Sequence, residues 1–359
     1  MKPLRLIPAN DTFRALQSVI EMLEGKVALH VTAPETNGLM PEVHGLPDEV
    51  SDDVALIVES SGSTGTPKRI ELSAAALIAS ANASAQHLGG QGQWLLALPI
   101  NFIAGMNVLI RSVLADTQPV MMNTQLPFTV EAFARAASMM TSSMRYTSLV
   151  PTQLNRLAAQ ADTDPFLFSL LKRFDAILLG GQQPDWNVVE SLRSQGVNIV
   201  VSYGMTETSG GCIYDGVALP GVDFKLDAGL ISLSGPVLAN GMGDWYQTSD
   251  LGEIVDGRLN VLGRADRVIV SGGMKISLEV IEQHALQIPG VEEAVAVAVV
   301  SSWGESAAIV YTGSPEVNFD FTDTLGPVAR LAKVLRVEAL PRLSSSKPDL
   351  VAITRLVSQ

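Results

Sequence analysis

Cysteine occurs once in the 359 residues, at Cys212, so the chain can form no intramolecular disulfide and no cysteine-based zinc cluster. That usage fits a reducing compartment, and a cytoplasmic location is the expectation. Histidine is almost as sparse: His30, His44, His87 and His284 lie outside every motif described below, which argues against a histidine-based catalytic triad. Basic residues are outnumbered, 24 Lys and Arg against 37 Asp and Glu, giving a net charge of −13. Such a chain lacks the basic face that neutralises a nucleic-acid backbone, and no nucleic-acid partner is expected. Long apolar runs are missing too. The most apolar stretch, 294–300, alternates Ala and Val over a length far too short to span a bilayer, so no transmembrane segment is expected. The start, Met1-Lys2-Pro3-Leu4-Arg5, has no apolar signal region and reads as mature sequence.

What is present supports a packed fold. Hydrophobic residues make up 47% and charged residues 17%, and the length suits two or three structural units. From residue 54 onward, short apolar runs (54–59, 94–98, 119–122, 146–150, 176–179, 198–202) read as strands. They alternate with amphipathic stretches (74–88, 104–114, 130–140, 152–161, 186–194) that read as helices. Ser73 and Thr129 stand at N-cap positions, and Pro184 stands near a helix start. This alternation predicts a layered α/β domain with a largely parallel sheet. Glycine-punctuated strands at 230–234, 245–248, 253–255 and 258–261 predict a β-rich subdomain over about 217–265. A final α+β unit over 266–359 is expected as helix 278–286, strands 294–300 and 307–312, helix 323–332 and strand 333–337.

Four clusters could carry chemistry. Residues 60–68, Ser-Ser-Gly-Ser-Thr-Gly-Thr-Pro-Lys, offer small backbone-exposing residues, several hydroxyl donors and one cation, the makings of a phosphate cradle. Such loops are common, and composition alone favours an ordinary surface turn. The loop is not a Walker A motif, because Pro67 stands five after Gly62 and Arg69 follows Lys68 where Ser or Thr would hold magnesium. Next, Tyr203-Gly204-Met205-Thr206-Glu207-Thr208 follows a predicted strand end, where α/β sheets place ligands, and puts a hydroxyl beside a carboxylate. Asp250 and Arg264 pair an acceptor suited to ribose hydroxyls with a fork of donors. Lys347 lies in the Ser-rich segment 344–347. Each of these three has its bland alternative: a capped loop, a surface salt bridge, a solvated lysine.

In this order and at these distances the clusters resemble the acyl-adenylate-forming superfamily, the AMP-binding group of acyl-CoA synthetases, adenylation domains and luciferases. The resemblance runs over about 54–357. Residues 60–68 match the family's phosphate-loop signature throughout, while 203–207, 248–250 and 263–276 match its later motifs, and Glu279 falls where the family has a glutamate. Local strings at 98–105, 108–112, 179–182 and 211–216 are similar to the short actinobacterial form of the 2-succinylbenzoate–CoA ligases of menaquinone biosynthesis. The resemblance implies an α/β fold with a large N-terminal AMP-binding domain (1–265) and a small mobile C-terminal domain (266–359). It further implies a two-step ligase that uses ATP, Mg²⁺ and CoA on a small-molecule carboxylic acid. It leaves room for a homodimer.

Carried over residue by residue, the resemblance puts Ser61, Gly62, Ser63, Thr64, Gly65 and Lys68 on the ATP phosphates. Thr206 falls on the α-phosphate and Glu207 on the metal. Gly180, Gly181 and Gln182 line the adenine slot with Tyr203 and Gly204 beside it, and Asp250 and Arg264 hold ribose. Lys347 bridges the acyl carboxylate and the α-phosphate. Asp266 is the hinge, and Gly272, Gly273 and Lys275 border the CoA tunnel. Asn101, Phe102, Met106, Ser209 and Gly210 are acyl-pocket candidates. So is Arg111, which interrupts an apolar helix and could meet a second substrate carboxylate or simply face solvent. Three positions depart from the family pattern: Phe102 replaces a frequent histidine, Ser346 a glycine, and Leu350 a frequent arginine. The N-terminal part is also short. Rival expectations are another acyl- or aryl-CoA ligase, a carrier-loading adenylation enzyme, and a non-catalytic acyl-nucleotide sensor.

Overall fold

A computed structural model describes residues 1–36, 39–41, 43–60, 68–271, 273–301, 304–343 and 348–358. Contacts divide the chain into two compact units, Met1–Phe224 with Leu233–Tyr246, and Lys225–Ser232 with Gln247–Gln359. The cut therefore falls inside the β-rich stretch rather than after it.

The first unit holds two sheets. A five-stranded sheet runs in the order Glu49–Val50, Lys2–Pro8, Ala28–Thr32, Leu56–Ser60, Lys68–Leu72, parallel in its middle and antiparallel at both edges. The seven-stranded sheet has the order Val217–Ala218, Gly210–Tyr214, Ile199–Met205, Ala176–Gly180, Arg145–Leu149, Gln93–Leu96, Val120–Met121. Its five strands from Ile199–Met205 to Val120–Met121 are parallel, as the strand–helix alternation requires. Leu95, Leu149, Ile177 and Leu179 from these strands pack with Phe133, Leu157, Leu170 and Val189 of the covering helices into one apolar core.

Local chemistry explains the helix limits. Ser73 Oγ accepts from Ala76 N at 3.1 Å to start Ala74–Leu88, and Gly89, at φ +91°, ends it. Thr129 caps Val130–Ser138 in the same way. A helix with no strong periodic signal, Pro165–Leu171, is started by Asp164, whose carboxylate accepts from Phe166 N and Leu167 N, with Pro165 in the first turn.

In the second unit, strands Tyr246–Val255 and Arg258–Arg264 form an antiparallel hairpin, so 245–248 and 253–255 belong to one continuous strand. A further sheet has the order Met274–Ser277, Val268–Ser271, Gly304–Gly313, Val291–Ser301, with Leu331–Arg336 pairing parallel to Gly304–Gly313. Here Ala/Val alternation has a purpose. Ala296 with Ala307, Ile309 and Tyr311 faces one core, while Val295 and Val297 with Ala308 and Val310 face another. The second core is closed by helix Leu350–Ser358 through Ile353 and Val357.

The expected helix over 323–332 is not formed. A turn of helix, Thr322–Leu325, stops at Gly326 (φ +82°) and Pro327, which cannot donate to a helical carbonyl. The residues that follow, Leu331–Arg336, alternate half-buried and exposed, and that period of two suits the strand they form.

Candidate active site

The first unit gathers its site at the carboxyl ends of parallel strands, the usual ligand crevice of such sheets. Strand Ile199–Met205 leads into the turn Thr206–Thr208, then Ser209 in the left-handed region at φ +53°, then strand Gly210–Tyr214 running back antiparallel. Gly204 must be glycine: a Cβ there would stand 2.2 Å from the Gly210 carbonyl oxygen. The turn is tied internally by Thr208, whose Oγ1 accepts from Met205 N at 2.9 Å and lies 2.7 Å from the Gly210 carbonyl. Ala239 N donates to the Glu207 carbonyl at 2.8 Å, fixing the turn's outer side.

Glu207 points its carboxylate at Lys68, with 3.6 Å between Nζ and Oε1. Lys68 opens strand Lys68–Leu72, and its register partner is Ser60, so the two ends of the 60–68 segment are held side by side. Gly180 ends the neighbouring parallel strand, opposite Ser202, where a Cβ would come within 2.9 Å of the Ser202 carbonyl. Gly181 follows at φ +87°, with Gln182 half-buried beyond it. Gly180 and Tyr203 thus sit on neighbouring strands of the seven-stranded sheet, while Lys68 comes from the edge of the five-stranded sheet and reaches Glu207 within the same unit. Ser61, Gly62, Ser63, Thr64, Gly65, Gly272 and Lys347 lie outside the described residues.

The acyl-pocket candidates sit on and around helix Ile103–Leu114. Asn101 and Phe102 precede it half-buried, and Met106 is buried. Arg111 is not a surface residue: it is 4% exposed, its Nη2 donates to Tyr214 Oη at 3.3 Å, and its guanidinium lies 4.7 Å from the centre of the Trp94 ring. Its Nε has no hydrogen-bond partner among the described residues. Ser209 and Gly210 are fully packed: the Ser209 hydroxyl donates to the Val237 carbonyl at 2.8 Å, and Gly210 abuts the Asn107 amide. Burial pushes the Cys212 thiol up to about 12, so it stays protonated and serves as packing.

The second unit brings Asp250 and Arg264 directly opposite each other across the hairpin, 4.0 Å apart. Arg264 forks onto Asp266, with Nε to Oδ1 at 2.8 Å and Nη2 to Oδ2 at 2.6 Å. Those bonds raise the Arg264 guanidinium's affinity for its proton and hold the Asp266 carboxyl below its ordinary range. Nearby, Arg267 joins Glu279 (2.9 Å) and Glu282 (2.6 Å). Gly273, at φ +82°, and Lys275 are exposed on the hairpin around strand Met274–Ser277.

Asn107, Ser80, Ser84, Trp94 and Tyr214 escaped the sequence reading. The available signal was spacing: Ser80 and Ser84, like Asn107 and Arg111, stand four apart on otherwise apolar helices, the separation that stacks side chains on one face.

The turn offers a divalent ion the carboxylate of Glu207, and no group of three or more acidic, His or Cys ligands occurs among the described residues. That donor set fits Mg²⁺, which takes one or two carboxylates and completes its shell with phosphate oxygens and water.

A family model described as AMP-binding enzyme matches residues 8–240. The chain belongs to the AMP-binding enzyme family. Over 99% of its length it is 35% identical to the probable 2-succinylbenzoate–CoA ligase of Mycobacterium tuberculosis, spanning 98% of that protein. The o-succinylbenzoate CoA synthetase (MenE) of Bacillus subtilis, in complex with the acyl-adenylate intermediate OSB-AMP, superposes with a TM-score of 0.76 at 23% identity, over 94% of this chain and 80% of that one. The same B. subtilis enzyme with ATP and magnesium ion gives 0.74 at 24% identity, over 98% and 79%. These likenesses establish the fold of the adenylate-forming enzymes. No helix among the described residues is long and apolar enough to cross a membrane.

Proposed function

We propose that this chain is an AMP-forming carboxylate–CoA ligase that converts 2-succinylbenzoate to its CoA thioester for menaquinone biosynthesis. One observation carries the adenylation part: Lys68 and Glu207 meet at 3.6 Å. A cation suited to phosphate and a carboxylate suited to magnesium converge there, which supports reading this pair as the nucleotide-phosphate end of the site. The substrate's carboxylate oxygen attacks the α-phosphorus of ATP, and the bond to pyrophosphate breaks. The thiol sulfur of CoA then attacks the acyl carbon and AMP leaves. Bound Mg²⁺ offsets phosphate charge. The chain's own groups orient and neutralise the rest: Lys68 and the 61–65 loop at the β- and γ-phosphates, Thr206 at the α-phosphate, Asp250 and Arg264 at ribose, Lys347 between acid and phosphate. Asp266 is the hinge about which 266–359 turns between steps, with Gly272, Gly273 and Lys275 bordering the CoA path.

The choice of acid rests on Arg111. A buried guanidinium with an unpartnered Nε is costly unless an anion completes it, and the free carboxylate of a keto-diacid has that charge. Full-length similarity to a 2-succinylbenzoate–CoA ligase supports the same reading. A homodimer and a cytoplasmic location belong to it as well, and sedimentation of the purified chain tests the first.

Pyrophosphate release with MgATP is the deciding assay, run over a panel of carboxylic acids with and without CoA. Release with 2-succinylbenzoate, and thioester formation when CoA is added, are the expected results. Activity confined to fatty or aryl monoacids removes the assigned acid. Silence with every acid favours a nucleotide sensor.

A further inference from the structure

Two helices of the first unit present matching polar pairs to one strand. Ser80 and Ser84 lie one turn apart on Ala74–Leu88, and Asn107 and Arg111 lie one turn apart on Ile103–Leu114. The upper pair converges on a single atom: the Ser209 carbonyl accepts from Asn107 Nδ2 at 2.9 Å and from Ser80 Oγ at 3.2 Å. The lower pair converges on Tyr214 Oη, 2.9 Å from Ser84 Oγ and 3.3 Å from Arg111 Nη2. All four side chains are buried.

Ser209 stands two residues after Glu207 and adopts φ +53°, a conformation that side chains other than glycine seldom take. Its N–H donates to the Thr206 carbonyl at 3.0 Å and its hydroxyl to Val237, so its carbonyl is the end that the helices control. Asn107 is also fitted to the neighbouring residue. A Cβ on Gly210 would meet Asn107 Nδ2 at 2.3 Å, so the amide fills the space that a side chain there would need.

We propose that Asn107, assisted by Ser80, is a positioning residue that holds the Thr206–Glu207 turn in register with the nucleotide phosphates and Mg²⁺. The proposal rests on the adenylation reading above. Asn107 touches neither substrate nor metal; it acts through the Ser209 carbonyl. Without its donor, Ser209 can relax from the left-handed conformation, and the Glu207 carboxylate two residues earlier moves with it.

Titration calorimetry of ATP with Mg²⁺ and with EDTA tests this on wild type, Asn107→Ala and Ser80→Ala. Val108→Ala, a cavity in the same helix at a fully buried position, serves as the stability control. Asn107→Ala should lose about five- to tenfold of the Mg²⁺-dependent gain in ATP affinity and keep its metal-free affinity. Its rate of acyl-adenylate formation should fall about ten- to a hundredfold, the scale of a small misplacement of a reacting constellation. Thioester formation from supplied acyl-adenylate should stay near wild type. Ser80→Ala should show the same pattern more weakly, and it carries the test if Asn107→Ala does not fold. Val108→Ala should lower the thermal midpoint without changing the Mg²⁺-dependent gain. Wild-type metal dependence in both polar variants overturns the proposal, as does an equal loss in Val108→Ala. A wild-type protein that binds no MgATP removes the adenylation reading and this proposal together.

Discussion

Lys68 Nζ and Glu207 Oε1 lie 3.6 Å apart, and the pair is uneven in burial: the Glu207 side chain is 12% exposed and that of Lys68 is 58% exposed. The carboxylate is therefore the more enclosed partner, and the lysine end faces solvent, the side from which a phosphate would come. As an exposed-to-buried pair it adds little to folding, because solvent screens the lysine end. Glu207→Gln should abolish most of the Mg²⁺-dependent gain in ATP affinity with little change in thermal midpoint. Lys68→Ala should raise KM for ATP more than it lowers stability. Steady-state pyrophosphate release and calorimetry read both effects; a large loss of stability with unchanged nucleotide binding would make the pair structural.

Arg111 makes opposite predictions for activity and stability. If its charge waits for a substrate carboxylate, Arg111→Met should cost about 2–5 kcal/mol in kcat/KM for 2-succinylbenzoate, the scale for truncating one partner of a buried charge pair. The unliganded protein should be as stable as wild type or more so, since an apolar side chain needs no counter-ion in that site. MgATP affinity should be unchanged. A variant that handles the diacid normally would return Arg111 to a packing role with Trp94 and Tyr214.

Lys347 is assigned from the sequence pattern alone. Lys347→Ala should slow acyl-adenylate formation by two or more orders of magnitude, about 3 kcal/mol, as for removal of a preorganised donor. Single-turnover thioester formation from supplied acyl-adenylate should survive. Equal loss in both half-reactions would show the assignment to be wrong.

Glu282 offers a pH test in the second unit. Burial pushes its carboxyl up to about 7, against the pull of Arg267 and of Ala296 N, which donates to it at 2.8 Å. A raised folded-state value means that its contribution to stability is complete below the ordinary glutamate range near 4.5 and is lost as pH rises through about 7. Glu282→Gln keeps a neutral acceptor and removes the titration. Thermal unfolding between pH 5 and 8 should therefore show the variant gaining on wild type as pH rises. Parallel curves would mean that Arg267 keeps Glu282 charged throughout.

Much of the fold was legible because its signals are local. Helix Ala74–Leu88 was readable to the residue, with Ser73 at its cap, and so was Leu278–Leu286. Where local preference is outweighed, reading failed. Apolar content across 323–332 suggested a helix, but Gly326-Pro327 break it and pairing with Gly304–Gly313 draws Leu331–Arg336 into a strand. The site divides in the same way. Thr206 and Glu207 stand out as candidates because they follow a strand end, whereas Asn107 and Ser80 look like stray polar residues in apolar helices until Ser209 is brought to them.

The order of the chemical groups along the chain was set by the sequence: a hydroxyl-rich loop ending in Lys68, a Thr-Glu pair, an Asp, an Arg and a late lysine. Which donors and acceptors exist, and which backbone positions must be glycine, follows from residue identity alone. Only tertiary structure decided that Lys68 would meet Glu207, that Arg111 would be buried over Trp94 rather than solvated, and that Ser209 would carry two buried donors on one carbonyl. These are contacts between residues distant in sequence. No local preference encodes them, because their geometry is set by how sheet and helices pack into one core.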